Sequence, residues 1–168
     1  MRRIAIQDAN ILIDLVNIGL FSHCLALEYE FSTTELIFEI ELNQHQKTTV
    51  QLHIDSEKFS IIKIPADELL EIQLASLEDS RLSEQDWSAL YYAEKKNALL
   101  LSGDKHLRRL SESKGIEVRG ILWLFDQLIE TKILSDKEAC NLLKILMKQN
   151  RRLPLDECQK RIEKWCED

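Results

Sequence analysis

Glycine and proline are scarce in this sequence, and it has no long apolar run. Four glycines and two prolines in 168 residues favour a helix-rich chain over an all-β sandwich, whose many turns need both residue types. No stretch approaches the roughly 18 apolar residues of a membrane span. The first apolar run is short and is interrupted by Asp8 and Asp14. We therefore predict neither a signal peptide nor a membrane helix.

The cysteines are few and do not follow the spacing of a metal site. None stand in a Cys-x-x-Cys pattern, and none pair with a histidine at zinc spacing. We therefore expect reduced, mostly buried thiols and a cytoplasmic protein. The four cysteines are Cys24, Cys140, Cys158 and Cys166.

A surplus of positive charge is also missing. Aspartate and glutamate outnumber lysine and arginine by 29 to 22, which gives a formal net charge of −7. Non-specific nucleic-acid binders are usually basic, so this balance instead suits a carboxylate metal site or a basic partner. Hydrophobic residues make up 45% of the chain, which is enough for one packed core.

Short strand patterns alternate with helical patterns along the chain. This alternation predicts a three-layer α/β/α fold with a mostly parallel five-stranded sheet and helices on both faces. A purely helical tail follows the last strand. The strands are predicted at residues 2–7, 29–33, 59–64, 98–101 and 116–118.

Residues 82–110 carry the clearest local signals. Ser83 and Asp86 form a Ser-x-x-Asp helix start. Further on, Asp104 follows a short apolar strand and opens the next helix, and Asp8 has the same kind of position after the first strand. Because ligands of parallel sheets bind beyond the carboxyl ends of the strands, we expect these aspartates near one edge.

Each of these carboxylates taken alone can be explained as a helix cap. Together with Glu39, which lies in an otherwise apolar helical segment, they could converge on one small volume. Clustered carboxylates raise each other's pKa, and a divalent cation removes that penalty. Oxygen ligands suit Mg²⁺ or Mn²⁺. Glu35 and Glu41 lie close to Glu39 in the sequence, so the choice among the three stays open.

At these positions the sequence resembles the PIN-domain family of metal-dependent ribonucleases. The resemblance covers residues 1–131, which it implies to be the nuclease domain. Residues 132–168 resemble the C-terminal helical extension of a bacterial subgroup, packed on the same domain. The matching segments are residues 6–14 (IQDANILID), 32–39 (STTELIFE), 82–90 (LSEQDWSAL) and 100–108 (LLSGDKHLR).

The resemblance implies a site and a reaction. Mg²⁺ or Mn²⁺ would activate a water that attacks a phosphodiester of single-stranded RNA, so the chain would be an endoribonuclease. Basic side chains after the last aspartate could hold phosphates, although a solvated helix face would look the same. The implied catalytic and metal-binding residues are Asp8, Glu39, Asp86 and Asp104, with Asn10 and Ser102 in support and Lys105, Arg108 and Arg109 as phosphate contacts.

The resemblance also implies partners. Many bacterial members of the family are toxins restrained by an antitoxin protein, and many are dimers. We therefore expect the toxin of a toxin–antitoxin pair, a homodimer, and no membrane partner. An acidic protein would suit an antitoxin that inserts a basic side chain among the carboxylates.

Two other functions compete with this interpretation. The first is a catalytically silent PIN-like module that binds a protein, and the presence of all four acidic positions counts against it. The second is a phosphotransfer receiver domain, which also clusters aspartates at strand ends. A receiver needs an aspartate after its third strand and a lysine after its fifth, and residues 61–65 and 118–120 supply neither.

Overall fold

A five-stranded parallel sheet forms the centre of the molecule, which we describe from a computed structural model over residues 1–166. The strand order is β3-β2-β1-β4-β5, and every neighbouring pair is parallel. The predicted α/β class with a helical C-terminal part is confirmed. The strands are β1 (Arg3–Gln7), β2 (Tyr29–Thr34), β3 (Ser60–Ile62), β4 (Leu99–Leu101) and β5 (Val118–Arg119).

Helices cover both faces of the sheet. One core cluster joins α1, α2, α3 and α7 to the C-terminal helices α8 and α9, and the other joins α4, α5 and α6. No helix in the described part of the chain is long and apolar enough to cross a membrane. The helices are α1 (Ala9–Asn17), α2 (Phe21–Cys24), α3 (Gln44–Asp55), α4 (Ala66–Glu78), α5 (Glu84–Lys95), α6 (Lys105–Ser113), α7 (Ile121–Glu130), α8 (Asp136–Gln149) and α9 (Leu155–Trp165).

Two segments between β2 and β3 differ from simple sequence patterns. The predicted helix after β2 is a π-helix over Ile37–Glu41. Its backbone hydrogen bonds join residues that are five positions apart, whereas those of an α-helix join residues four apart. The polar stretch that follows forms α3, which begins with a reciprocal capping box between Asn43 and Gln46. Only Gln46 and Val50 of α3 are buried, so its sequence shows no clear apolar face.

The C-terminal helices pack on the same core as the sheet. Trp165 of α9 stacks on Phe125 of α7, with ring centroids 5.9 Å apart. A disulfide joins Cys140 of α8 to Cys166 just after α9, with Cα atoms 5.8 Å apart. The expectation of four reduced thiols is therefore wrong for this pair, because the helical hairpin brings together two cysteines that are 26 residues apart in sequence. Cys24 and Cys158 are free and buried.

Candidate active site

The carboxyl ends of β1 and β4 lie side by side and position Asp8. Gln7 pairs with Leu101, and the Asp8 backbone N–H donates to the Leu101 carbonyl at 2.9 Å. The Asp8 side chain caps α1 and is only 1% exposed. Its Oδ1 accepts from the backbone N–H of Ala9 at 2.8 Å, and its Oδ2 accepts from the Ser102 hydroxyl at 2.8 Å. Asp8 thus starts a helix and is buried at the sheet edge.

Ser102 connects Asp8 to Asp104. Besides donating to Asp8, the buried Ser102 hydroxyl accepts from the backbone N–H of Asp104 at 3.1 Å. Asp104 caps α6 and accepts from the backbone N–H of Leu107 through Oδ1 at 2.7 Å. One serine hydroxyl therefore fixes the relative positions of two strand-end aspartates.

Asp86 lies in the first turn of α5, as its sequence pattern predicts. Its Oδ2 accepts from the backbone N–H of Ser83 at 2.9 Å, and the Ser83 hydroxyl accepts from the backbone N–H of Asp86 at 3.1 Å. This reciprocal capping box confirms the predicted helix start. In the described part of the chain, no hydrogen bond occupies Oδ1 of Asp86 or Oδ2 of Asp104. Both aspartates therefore have one carboxylate oxygen available.

The three aspartates interact electrostatically. Burial raises the pKa of Asp8 to about 7, and the negative charge of Asp86 adds to this rise. The hydrogen bond from Ser102 opposes the rise, while Asp104 contributes a smaller increase. Asp8, Asp86 and Asp104 thus belong to one electrostatic site.

Glu39 is not among the charged groups that shift the pKa of Asp8. The Glu39 side chain is 62% exposed and forms an ion pair with Lys47 at 3.0 Å. Glu35 is half-buried and accepts from the backbone N–H of Ile64 at 2.6 Å.

Comparison with known protein families identifies the family of this chain. A family profile described as PIN domain matches residues 4–167. The chain belongs to the PIN-domain family. The match includes the C-terminal helices as well as the sheet, and it confirms the family resemblance found in the sequence.

A solved structure supports the same fold for this PIN domain. The crystal structure of PAE2754 from Pyrobaculum aerophilum is similar with a TM-score of 0.53 and 18% sequence identity. The similarity covers 77% of this chain and 99% of that chain. At this identity the likeness establishes the fold alone. A comparison with curated proteins finds no significant match.

The carboxylates of this PIN domain suit a hard divalent cation. Within residues 1–166, no three Asp, Glu, His or Cys side chains lie close enough together to hold a metal ion by themselves. Mg²⁺, however, is commonly held in proteins by one or two carboxylates, with waters and substrate phosphates as its other ligands. A cation next to buried Asp8 would offset the repulsion from Asp86 and Asp104. The donor set therefore fits Mg²⁺ or Mn²⁺.

Asn10 and the predicted basic residues lie on α1 and α6, the helices that Asp8 and Asp104 cap. Asn10 is exposed in the first turn of α1, and Lys105 and Arg109 are exposed on α6. Arg108 is half-buried, and its guanidinium donates to the backbone carbonyl of Ser102 at 3.3 Å. Arg108 thus contacts the loop that carries Ser102, while the other two cations are open to solvent.

A second charged group near α6 was not found from the sequence. Asp79 accepts from Nε of Arg81 at 2.8 Å and lies 3.1 Å from Nε2 of His106. The hydrogen bonds from Arg81 and His106 hold the pKa of Asp79 below its ordinary value. His106 thus contacts the loop before α5. The short spacing of Asp79 and Arg81 was the available signal, but nothing in the sequence connects them to His106.

Proposed function

We propose that this PIN domain is a Mg²⁺- or Mn²⁺-dependent endoribonuclease that cuts single-stranded RNA. The observation that supports the proposal is the buried carboxyl of Asp8, whose pKa is raised to about 7 by burial and by the neighbouring Asp86. Strongly perturbed carboxyls at the carboxyl edge of a parallel sheet are typical of functional sites. Asp8, Asp86 and Asp104 would hold the ion directly or through bound waters.

The protein's own groups would prepare the site for hydrolysis. A bound Mg²⁺ or Mn²⁺ would supply a nucleophilic water at neutral pH and neutralise charge on the phosphate. The Ser102 hydroxyl orients Asp8 by donating to Oδ2. The exposed cations Lys105 and Arg109 would bind RNA phosphates beside the site, and Arg108 would support the loop that carries Ser102.

Cleavage by the purified wild-type protein tests this function. We expect it to cut a mixed single-stranded RNA in Mn²⁺ and in Mg²⁺, and to lose this activity in EDTA. RNA cleavage that continues unchanged in EDTA would contradict the proposal, because no metal-independent nucleophile is part of it.

The alternative is a catalytically silent PIN-like module that binds a protein partner. The observation that favours this alternative is that no three-ligand metal cluster exists among residues 1–166. A folded wild-type protein that binds Mn²⁺ but cuts none of a varied set of single-stranded RNAs would support the module over the nuclease.

We further propose that the protein acts in the cytoplasm as the toxin of a toxin–antitoxin pair, with an antitoxin protein as partner. Membership in the PIN-domain family supports this proposal, and so does the formal net charge of −7, which suits a basic inhibitory segment. Induced expression should arrest bacterial growth for the wild type and not for an equally expressed Asp104→Asn variant. Equal growth of the two strains would argue against toxicity.

Substitutions of Glu35 and Glu39, the glutamates that follow β2, should affect stability and RNA cleavage differently. Glu35→Ala would remove the acceptor of the Ile64 N–H, so we expect the free energy of unfolding to fall by about 1–2 kcal/mol. Glu39→Ala would remove an exposed ion pair and should cost about 0.5 kcal/mol or less. We propose that Glu39 assists the site through a bound water, so its loss should slow cleavage by about tenfold or more. Urea denaturation and RNA cleavage measure the two effects, and full activity of Glu39→Ala would remove Glu39 from the site.

The proposed homodimer would use an exposed leucine stripe on α4. Leu70, Leu74 and Leu77 are 57%, 54% and 80% exposed and lie on one helix face. Asp67 and Glu71 are also exposed on α4, so added salt should strengthen the dimer by screening their repulsion. The stripe is the surface that we propose for a second copy.

Charged substitutions in this stripe should separate the subunits. The Leu74→Glu/Leu77→Glu double variant should weaken dimerisation by at least about a hundredfold, because each subunit loses two leucines that the proposed interface would bury. Leu52→Glu on α3 is the control, since Leu52 is 66% exposed and lies outside α4. Light scattering after gel filtration measures the mass. A double variant that dimerises like the Leu52→Glu control would contradict this interface.

A further inference from the structure

The loop between α8 and α9 is held against α1 by one side chain. Nδ2 of Asn150 donates to Oδ2 of Asp14 at 2.8 Å. Oδ1 of the same Asn150 accepts from the backbone N–H of Arg152 at 2.9 Å. Asn150 therefore fixes both the position of the loop and the local turn that carries Arg151 and Arg152.

This contact places the loop against α1, the helix that Asp8 caps. Asp14 follows Asp8 by six residues, which corresponds to about 9 Å along an α-helix axis. Asn10 is exposed one turn before Asp14 on the same side of α1, at i and i+4. The loop thus adjoins a polar stripe of α1 that leads back to Asp8.

The loop and the end of α8 carry positive charge only. Between residues 141 and 155, every charged residue is basic. Arg151 and Arg152 are both exposed, and within residues 1–166 neither forms an ion pair. Arg161 on α9, in contrast, binds Asp126 through two hydrogen bonds of 3.0 and 2.6 Å. In an acidic protein, a pair of unpaired arginines on a turn that is held against α1 suits an anionic ligand.

We infer that residues 150–152 form an arm that binds phosphates of the single-stranded RNA as it crosses α1 toward Asp8. The arm lies on the α1 side of the sheet, whereas Lys105 and Arg109 lie on α6 at the opposite face. The RNA backbone would then be bound on both sides of the three aspartates. The inference rests on the proposed ribonuclease function and assigns a role to the C-terminal hairpin.

RNA binding as a function of salt tests the arm. The Arg151→Gln/Arg152→Gln variant should bind a labelled single-stranded RNA about tenfold more weakly at low salt, measured by fluorescence anisotropy in EDTA. The slope of log affinity against log salt should fall by about 1.4, which is about 0.7 for each lost phosphate contact on a single strand. Cleavage in Mn²⁺ should show a raised KM with kcat unchanged, because the arm touches no reacting atom.

A control variant with the same loss of charge is Arg2→Gln/Lys137→Gln. Arg2 precedes β1 at the amino edge of the sheet, and Lys137 lies at the start of α8, about 20 Å along the helix from the arm. We expect this control to keep the wild-type affinity and salt slope. If the arm variant has the same RNA affinity and salt slope as the control while the wild type cuts RNA, the proposed role of the arm is contradicted and the ribonuclease proposal is not. If the arm variant loses RNA affinity but the wild type cuts no RNA, the result supports RNA binding by the arm and contradicts the proposed catalysis.

Discussion

Asp8→Asn and Asp104→Asn are each expected to slow RNA cleavage in Mn²⁺ by about a thousandfold. Each substitution replaces a charged oxygen ligand with an amide that binds a divalent cation weakly. Such an ion is worth several kcal/mol of transition-state stabilisation, and about 4 kcal/mol corresponds to this loss of rate. Single-turnover rates on one RNA with matched protein concentrations give the comparison.

The control for this loss is Asp136→Asn. Asp136 is an exposed aspartate in the first turn of α8, so the substitution has the same chemistry at another helix start. Its cleavage rate should equal that of the wild type. Circular dichroism and thermal melting of all variants check that they are folded. An Asp104→Asn protein that cuts as fast as Asp136→Asn would show that Asp104 is only a helix cap.

Asp8→Asn is also expected to stabilise the metal-free protein above neutral pH. The pKa of Asp8 is raised from 3.8 to about 7 in the folded state, chiefly by burial. Between these two values the folded protein holds a proton that the unfolded chain has released, so stability falls as the pH rises through this window. At about pH 8 the buried charge would cost up to about 4 kcal/mol, and the neutral asparagine avoids this cost.

Urea denaturation in EDTA at about pH 4 and about pH 8 measures this effect. Asp8→Asn should match the wild type at the lower pH and exceed it by a few kcal/mol at the higher pH. Added Mn²⁺ at the higher pH should stabilise the wild type and leave Asp8→Asn nearly unchanged, because the variant lacks the buried carboxylate that would bind the ion. Equal or lower stability of Asp8→Asn at both pH values would contradict the electrostatic account of Asp8.

The sheet and the three aspartates could be predicted because their signals are local. A buried parallel strand is a short apolar run, as in β4. Because parallel strands all end at the same edge of the sheet, the residue that follows each strand lies at the carboxyl edge of the sheet. The same signal predicts the positions of Asp8 and Asp104, and the capping box predicts that of Asp86. The family profile over residues 4–167 then confirmed the resemblance that these segments suggested.

The remaining features depend on contacts or on irregular backbone that leave no local signal. The sequence leaves the choice among Glu35, Glu39 and Glu41 open, and it gives no sign that the last two lie in a π-helix. The contact between Asp14 and Asn150 joins residues that are 136 positions apart, and the Cys140–Cys166 disulfide likewise depends on how the last two helices fold back. Both contacts depend on how the C-terminal hairpin packs on the core, which no local sequence pattern encodes.

The most direct test of a metal-dependent ribonuclease site formed by Asp8, Asp86 and Asp104 is the chemistry of the RNA ends that the purified protein produces in Mn²⁺. Mass spectrometry of the products distinguishes attack by water, which leaves a linear phosphate and a hydroxyl, from attack by the ribose 2′-hydroxyl, which leaves a 2′,3′-cyclic phosphate. We predict linear phosphate ends from the wild type, with products absent in EDTA and for Asp104→Asn. Cyclic phosphate ends, or the same products from Asp104→Asn, would contradict this account of the site.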